Sequence, residues 1–391
     1  MEPSLVYSIP YVLFAIFLGL CAIAHYKGDE QIKKGAIIIS IIGFMFFIGL
    51  RGLIMSDWTF YYFFFNDHCS LEYLLHPEYD DYEKVAIGFM IYNLICKTIF
   101  DNYFFFEFVN CALGLFLLCR FFRANKINNL PLALMLFFCL EGYIIMCNLM
   151  RNSIAMFLCL NALTYIRTKE VVKYYVLVLL GCTFHSSALL FIPMYFFLNL
   201  KLNRWIFLLL VLCANVIYIK RFSVTLAILS LFMHGDNIIT LMIQQYTEHF
   251  SNQASGITFG YLEKLLTTLL VFLYYDKLTS IREDGHIYVN AIMMYLVIFL
   301  TFSEFGELAK RISTLFYFGY WIVWYDMMKV FSIENNRRLF CTFVGLFCVF
   351  RIMSGCKYAD YEYDNVLFGI KSDTERWAIH EKISEDYEII K

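Results

Sequence analysis

Between residues 4 and 354 the chain runs as a series of apolar blocks separated by short polar connectors. The blocks are about 15–25 residues long, close to the ~20 residues a helix needs to cross a bilayer core of ~30 Å. The pattern predicts spans at about 4–25, 35–50, 130–150, 151–166, 174–199, 205–219, 222–235, 261–275, 287–302, 312–331 and 338–354. The region 84–119 is long enough for two short helices, but Lys97 and Asp101 fall near its middle. It therefore predicts one crossing and one interfacial or re-entrant segment. The longer connectors are 51–83 and 236–260, and a polar tail follows residue 355.

Orientation follows from the basic residues near the span ends. With the 26–34 loop inside, about half of the 31 basic residues fall in inner connectors. The scheme predicts about twelve crossings, both termini outside and outer loops at 51–83 and 236–260. It makes residues 1–355 one integral membrane domain and 356–391 an external tail. The first apolar block has no basic leader and no small-residue cleavage pattern, so it is expected to remain as a span.

Composition agrees: 61% of residues are hydrophobic and 16% charged, with mean hydropathy +0.64. A soluble domain carries about 25% charged residues. The fold class expected is an all-α polytopic membrane protein. A net charge of −2 provides no basic face for nucleic acid. Most of the 13 cysteines lie inside apolar blocks, where cysteine acts as a small hydrophobe. Neither C-x-x-C nor H-E-x-x-H occurs, so no metal site and no cofactor are expected.

Several charges stand where hydrocarbon makes them costly. Arg51 follows the second span, and Arg151 interrupts an apolar stretch in EGYIIMCNLMRNSIAM. Glu304, Glu307 and Arg311 crowd TFSEFGELAKRIST, and His185 lies within a span in LLGCTFHSSALLF. An arginine at the helix centre costs roughly 2.5–3.5 kcal/mol on insertion scales, so such residues point to function by default. Each also has a plain structural explanation. Arg51 could snorkel, Arg151 could cap a hairpin, and His185 with its serines could bond a neighbouring helix. The aromatic run WTFYYFFF could be an interfacial belt. All but His185 are assigned to the outer face, which favours an anion site with acid and base capacity. Arginine's planar fork suits phosphate oxygens, and aromatic rings suit sugar faces.

The same residues resemble motifs of the EpsG/Wzy-type polysaccharide polymerase family. RGLIMSDWTFYYFFF is similar to that family's R…D-x3-Y motif, carried here by Arg51, Asp57 and Tyr61. NLMRNSIAM resembles its RQ-x-I-A span, through Arg151 and Ala155, with Asn152 where glutamine is usual. GCTFHSSALLF resembles its F-H-x-S-A-L span, through Phe184, His185, Ser187, Ala188 and Leu189. AKRISTLFYFGYW resembles its late arginine and aromatic helix, through Arg311, Phe316 and Tyr317.

The resemblance implies a multi-pass enzyme of the bacterial cytoplasmic (inner) membrane with a GT-C-like glycosyltransferase architecture. It would join undecaprenyl-pyrophosphate-linked repeat units at the outer face into O-antigen, capsule or exopolysaccharide. Reaction without a metal and with inversion is expected. Membrane lipid, a chain-length regulator and a flippase are the implied partners. On this reading Arg51, Arg151 and Arg311 bind the pyrophosphate. His185, Glu304 or Asp57 takes the acceptor proton, and Trp58, Tyr61 and Tyr62 meet the sugar. A polysaccharide ligase, a membrane O-acyltransferase and a lipid-linked glycan flippase are the alternatives.

Overall fold

The structure, a computed structural model, describes residues 3–75, 85–221, 258–303 and 306–389. The expected span 222–235, the 236–257 part of the second outer loop and Glu304 lie outside the described residues. Among those described, the regular structure is helical, and extended pairing is limited to the isolated bridges Arg51–Asn365 and Asn365–Gly369.

Five helices among the described residues are long and apolar enough to cross a membrane: Leu5–Lys27, Glu30–Gly49, Tyr103–Ala124, Leu130–Cys147 and Glu334–Gly355. Four coincide with predicted blocks. The fifth resolves the 84–119 region, where a shorter helix, Ile87–Ile99, precedes Tyr103–Ala124. The charges that obscured this stretch mark the break. Lys97 Nζ donates to the carbonyls of Phe65 (2.6 Å) and Asn66 (2.9 Å). The Asn102 side chain accepts from Phe105 N at 3.1 Å and so starts the next helix.

By its internal contacts the chain divides into two compact units. The first comprises Met1–Ile192 with Arg338–Lys391, and the second Pro193–Arg337. The first unit contains α1 (Ile9–Lys27), α2 (Glu30–Phe44), α3 (Trp58–Phe63), α4 (Ile87–Ile99), α5 (Tyr103–Ala124), α6 (Leu130–Phe137), α7 (Tyr143–Cys147), α8 (Met150–Ala162) and α9 (Val171–Cys182). Helix α1 packs on α2 and α6, while α8 packs on α5 and α9. Gly181 permits the last approach, because a Cβ there would lie 3.1 Å from the Ala155 carbonyl oxygen.

In the second unit α10 (Arg204–Lys220) and α11 (Phe259–Leu273) precede α12 (Gly285–Thr301), α13 (Gly306–Thr314) and α14 (Phe318–Val330). Helix α12 packs against α10, α13 and α14. Arg282 grips Asp326 through two nitrogens, at 2.5 and 2.6 Å, a bidentate geometry that fixes both side chains.

Residues after 355, polar in sequence, are folded onto the first unit. Met55 N donates to Asp360 O (2.8 Å), Gly52 N to Asp364 O (3.1 Å) and Val366 N to Leu50 O (2.8 Å). The Tyr363 ring stacks on Phe47 at 4.4 Å, and Phe47 stacks on Phe14 at the same distance. Arg376, only 2% exposed, pairs with Asp364 at 2.8 Å and donates to Glu362 O at 2.7 Å. Gly52 is needed for this closure, since a Cβ there would stand 2.0 Å from Asp364 Oδ1.

Candidate active site

The apolar stretch around Arg151 is broken twice. The first break is at Leu140–Glu141, where Glu141 has φ 72° and its carboxylate pairs with Arg351. The second is at Asn148–Leu149, between α7 and α8. Irregular backbone within an apolar region persists only where protein or a polar cavity satisfies it. Here Asn148 N and Leu149 N donate to Ile144 O (2.8 and 3.2 Å), and Cys147 O accepts from Arg51 (3.4 Å). Asn148 Oδ1 accepts from Ser56 N (3.1 Å) and Asp57 N (2.8 Å), tying the break to the start of α3. Ser56 Oγ in turn donates to Asp57 Oδ1 at 3.2 Å.

Arg151 therefore sits in the first turn of α8, whose N-cap residue Leu149 supplies no side-chain cap. The positive end of a helix and a guanidinium coincide there, and both favour an anion. Arg151 is half-buried, with its guanidinium carbon 4.5 Å from the Phe60 ring centroid and 5.8 Å from that of Tyr61. Such stacking holds the fork in one plane. Burial pushes the Tyr61 hydroxyl up to about 12, with Asp57 adding to the rise and Arg151 opposing it.

The expected span 174–199 is broken as well. Helix α9 ends at Cys182, and His185 caps the 3-10 turn Ser186–Phe191. The Thr183 carbonyl left by the break accepts from Gly88 N at 2.7 Å, which starts α4. His185 Nδ1 lies 2.8 Å from Ser187 Oγ and 3.1 Å from Ser187 N. Ser187 Oγ donates to Asn152 Oδ1 at 2.6 Å. Two interrupted helices thus meet, and a hydrogen-bond chain connects His185 to the residue beside Arg151.

Arg51 occupies a different setting. It is 2% exposed and ion-paired at 2.8 Å with Glu107 of α5, also buried. Its nitrogens also donate to Ile48 O (2.8 Å) and Cys147 O (3.4 Å), and Nη2 lies 3.4 Å from Met150 Sδ. A guanidinium so committed is not presented to a solvent-borne diphosphate. What it holds is the backbone on which Arg151 is mounted.

The aromatic residues are also less open than a sugar-facing rim requires. Trp58 and Tyr61 are each 3% exposed within a cluster that includes Phe64, Phe65, Phe89 and Phe106, while Tyr62 is half-buried. Trp58 meets Trp377 of the last helix, Asp373–Ile389, edge-on at 6.2 Å. Of the residues singled out in the sequence, Arg51, Asp57, Trp58, Tyr61, Tyr62, Arg151 and His185 belong to the first unit. Arg311 belongs to the second, exposed near the end of α13.

Sequence reasoning missed Glu107, Asn148 and the Ser187–Asn152 link. A lone carboxylate in FFFEFVNCALG was the available signal for Glu107, since a buried charge demands a partner. Nothing comparable marked Asn148, whose partners stand 91 and 92 residues away.

No curated protein and no solved structure matches the chain. The model of the EpsG family matches residues 35–366, from the second span through Asn365 and its neighbours in the folded-back tail. With that match covering most of its length, the chain belongs to the EpsG family.

Proposed function

We propose that the chain is a polysaccharide polymerase that transfers a growing glycan from its undecaprenyl diphosphate carrier to the hydroxyl of another carrier-linked repeat unit. The transfer takes place at the outer face of the cytoplasmic membrane. The observation that carries this reading is the placement of Arg151. It stands in the first turn of a broken helix, stacked on Phe60, and is joined through Asn152 and Ser187 to His185.

In the reaction the acceptor oxygen forms a bond to the donor's anomeric carbon as the bond from that carbon to the diphosphate oxygen breaks. Negative charge grows on the departing diphosphate, where Arg151 and the first-turn amides of α8 stabilise it. The acceptor proton goes to His185. Ser187 orients the imidazole: its backbone N–H donates to His185 Nδ1 (3.1 Å), and its hydroxyl, 2.8 Å from the same nitrogen, donates to Asn152 Oδ1. Asp57, beside the same aromatic surface, is the second candidate for the proton. Attack by one acceptor in a single displacement inverts the anomeric centre. Arg51 acts by positioning, through the carbonyl of Cys147 and its pairing with Glu107.

The test is Arg151→Ala in cells making the polymer. The variant is expected in the membrane at normal abundance, with repeat units left as single carrier-linked oligosaccharides. A ladder of wild-type chain lengths from that variant would refute the assignment.

A further inference from the structure

The segment after the last long helix ends its contact with the loop 50–55 in a tight turn, Asn365-Val366-Leu367-Phe368-Gly369. Three consecutive apolar side chains project from it, with Val366 36%, Leu367 62% and Phe368 81% exposed. Scattered exposed apolar residues are ordinary, but three in a row at the tip of an ordered turn are not.

The N–H groups of its three apolar residues are all bonded. Val366 N donates to Leu50 O (2.8 Å), Leu367 N to Asn365 Oδ1 (3.1 Å) and Phe368 N to Asn365 O (2.9 Å). Gly369 closes the turn at φ 104°, in the left-handed region where glycine carries no Cβ penalty. A turn that pairs these N–H groups within the protein is suited to a medium poor in water.

Its position identifies that medium. Asn365 Nδ2 donates to Phe46 O at 3.0 Å, and the Phe368 ring meets the Phe46 ring edge-on at 5.9 Å. Phe46 lies at the C-terminal end of the candidate span Glu30–Gly49, which also leaves Ile38, Ile39 and Ile42 exposed by 55%, 53% and 61%. The apolar tip therefore continues the surface this span presents to hydrocarbon.

We infer that the turn Asn365–Gly369 inserts Val366, Leu367 and Phe368 into the bilayer's headgroup–acyl boundary beside the end of the second span. The segment 356–389 is thereby a membrane-seated lid over residues 50–58 rather than a free tail. Interfacial elements of this kind bury their apolar face about 5–10 Å into the boundary. The polar partners Glu362, Asp364, Lys371 and Arg376 stay in the protein–water layer, paired with one another.

The test places the photoreactive residue p-benzoyl-phenylalanine at position 368 in the full chain, reconstituted in nanodiscs of phosphatidylethanolamine and phosphatidylglycerol. Position 42 on the span and position 381 on the last helix serve as references. After irradiation, intact-mass measurement is expected to show phospholipid adducts at 368 and 42 but not at 381. Adducts at 42 without any at 368 would overturn the inference. So would covalent dimers formed through 368, which would assign the turn to a second copy of the chain. Arg151 plays no part in this experiment, so its outcome is independent of the polymerase reading.

Discussion

Ser187 Oγ donates to Asn152 Oδ1 at 2.6 Å, joining the broken end of one apolar helix to the first turn of another 35 residues earlier. Asn152 adjoins Arg151, and Ser187 contacts His185 Nδ1 at 2.8 Å, so the bond couples the anion-holding and proton-accepting parts of the proposed site.

This coupling predicts non-additive losses. His185→Ala removes the base and is expected to slow polymerisation by about 10²–10⁴-fold. Ser187→Ala leaves the base but frees its orientation and costs less. Combining both is expected to cost no more than His185→Ala alone, because the hydroxyl acts only through the imidazole. Rates of repeat-unit consumption in membranes carrying the four proteins would measure the cycle. Additive losses would remove Ser187 from the chain of contacts.

Arg51 and Glu107 make the second prediction. A buried pair is costly to break, typically about 3–5 kcal/mol when one partner is removed, since the other charge remains in the interior. Arg51→Ala and Glu107→Ala are each expected to lower the thermal midpoint of the detergent-solubilised protein by several degrees. The joint replacement Arg51→Met with Glu107→Leu recovers much of that loss, because no charge is stranded. Polymer formation stays low in the joint variant, as the carbonyl of Cys147 has lost its donor and the support of Arg151 is altered. Full activity there would mean that Arg51 contributes stability alone.

What could be read from the sequence, and what could not, divides along physical lines. Hydropathy located four of the five long helices, because apolar length is a local property. It also led to Arg151 and His185, since a charge or imidazole within an apolar block is conspicuous wherever its partners are. The helix breaks were hidden. Neither Asn148-Leu149 nor Thr183-Phe184 contains glycine or proline, and the groups that meet these breaks, on Arg51, Ser56, Asp57 and Gly88, are far away along the chain. The tail escaped for a related reason. Its charged residues look solvated one by one, yet Arg376 is buried by a partner, Asp364, that only the turn between them brings near. The exposed aromatic rim expected from Trp58 and Tyr61 is in fact a packed cluster, since a short, aromatic-rich helix buries most apolar area by packing its rings on Phe89, Tyr103 and Phe106.

Arg151→Lys separates charge from geometry. Lysine keeps a positive charge at the first turn of α8 but lacks the planar fork that lies over Phe60 and can span two phosphate oxygens. The expected result is a protein of normal abundance with polymerisation reduced by about 10²-fold or more, nearer to alanine than to wild type. Near-wild-type chain lengths would indicate that a point charge suffices.

The last prediction concerns pH and the seating of the C-terminal segment. Burial pushes the Asp360 carboxyl up to about 6 from 3.8, while backbone hydrogen bonds and Arg376 oppose the rise. Because the folded value lies above the unfolded one, the folded segment binds more protons than the released chain between those two values. Its stability is therefore greatest below about pH 4, falls as pH rises from about 4 to 6, and is level above that. A shift of this size corresponds to at most about 3 kcal/mol, and the residue's partial exposure reduces it. Hydrogen exchange in the segment 356–376, corrected for the intrinsic pH dependence of exchange, is expected to show greater protection at pH 5 than at pH 7.5. Asp360→Asn keeps the shape without the charge and should show the higher protection at both. Met55, whose N–H donates to the Asp360 carbonyl from a backbone held at φ 68°, should follow the same trend. Protection that is independent of pH in the wild-type protein would mean that the carboxyl is adequately solvated where it stands.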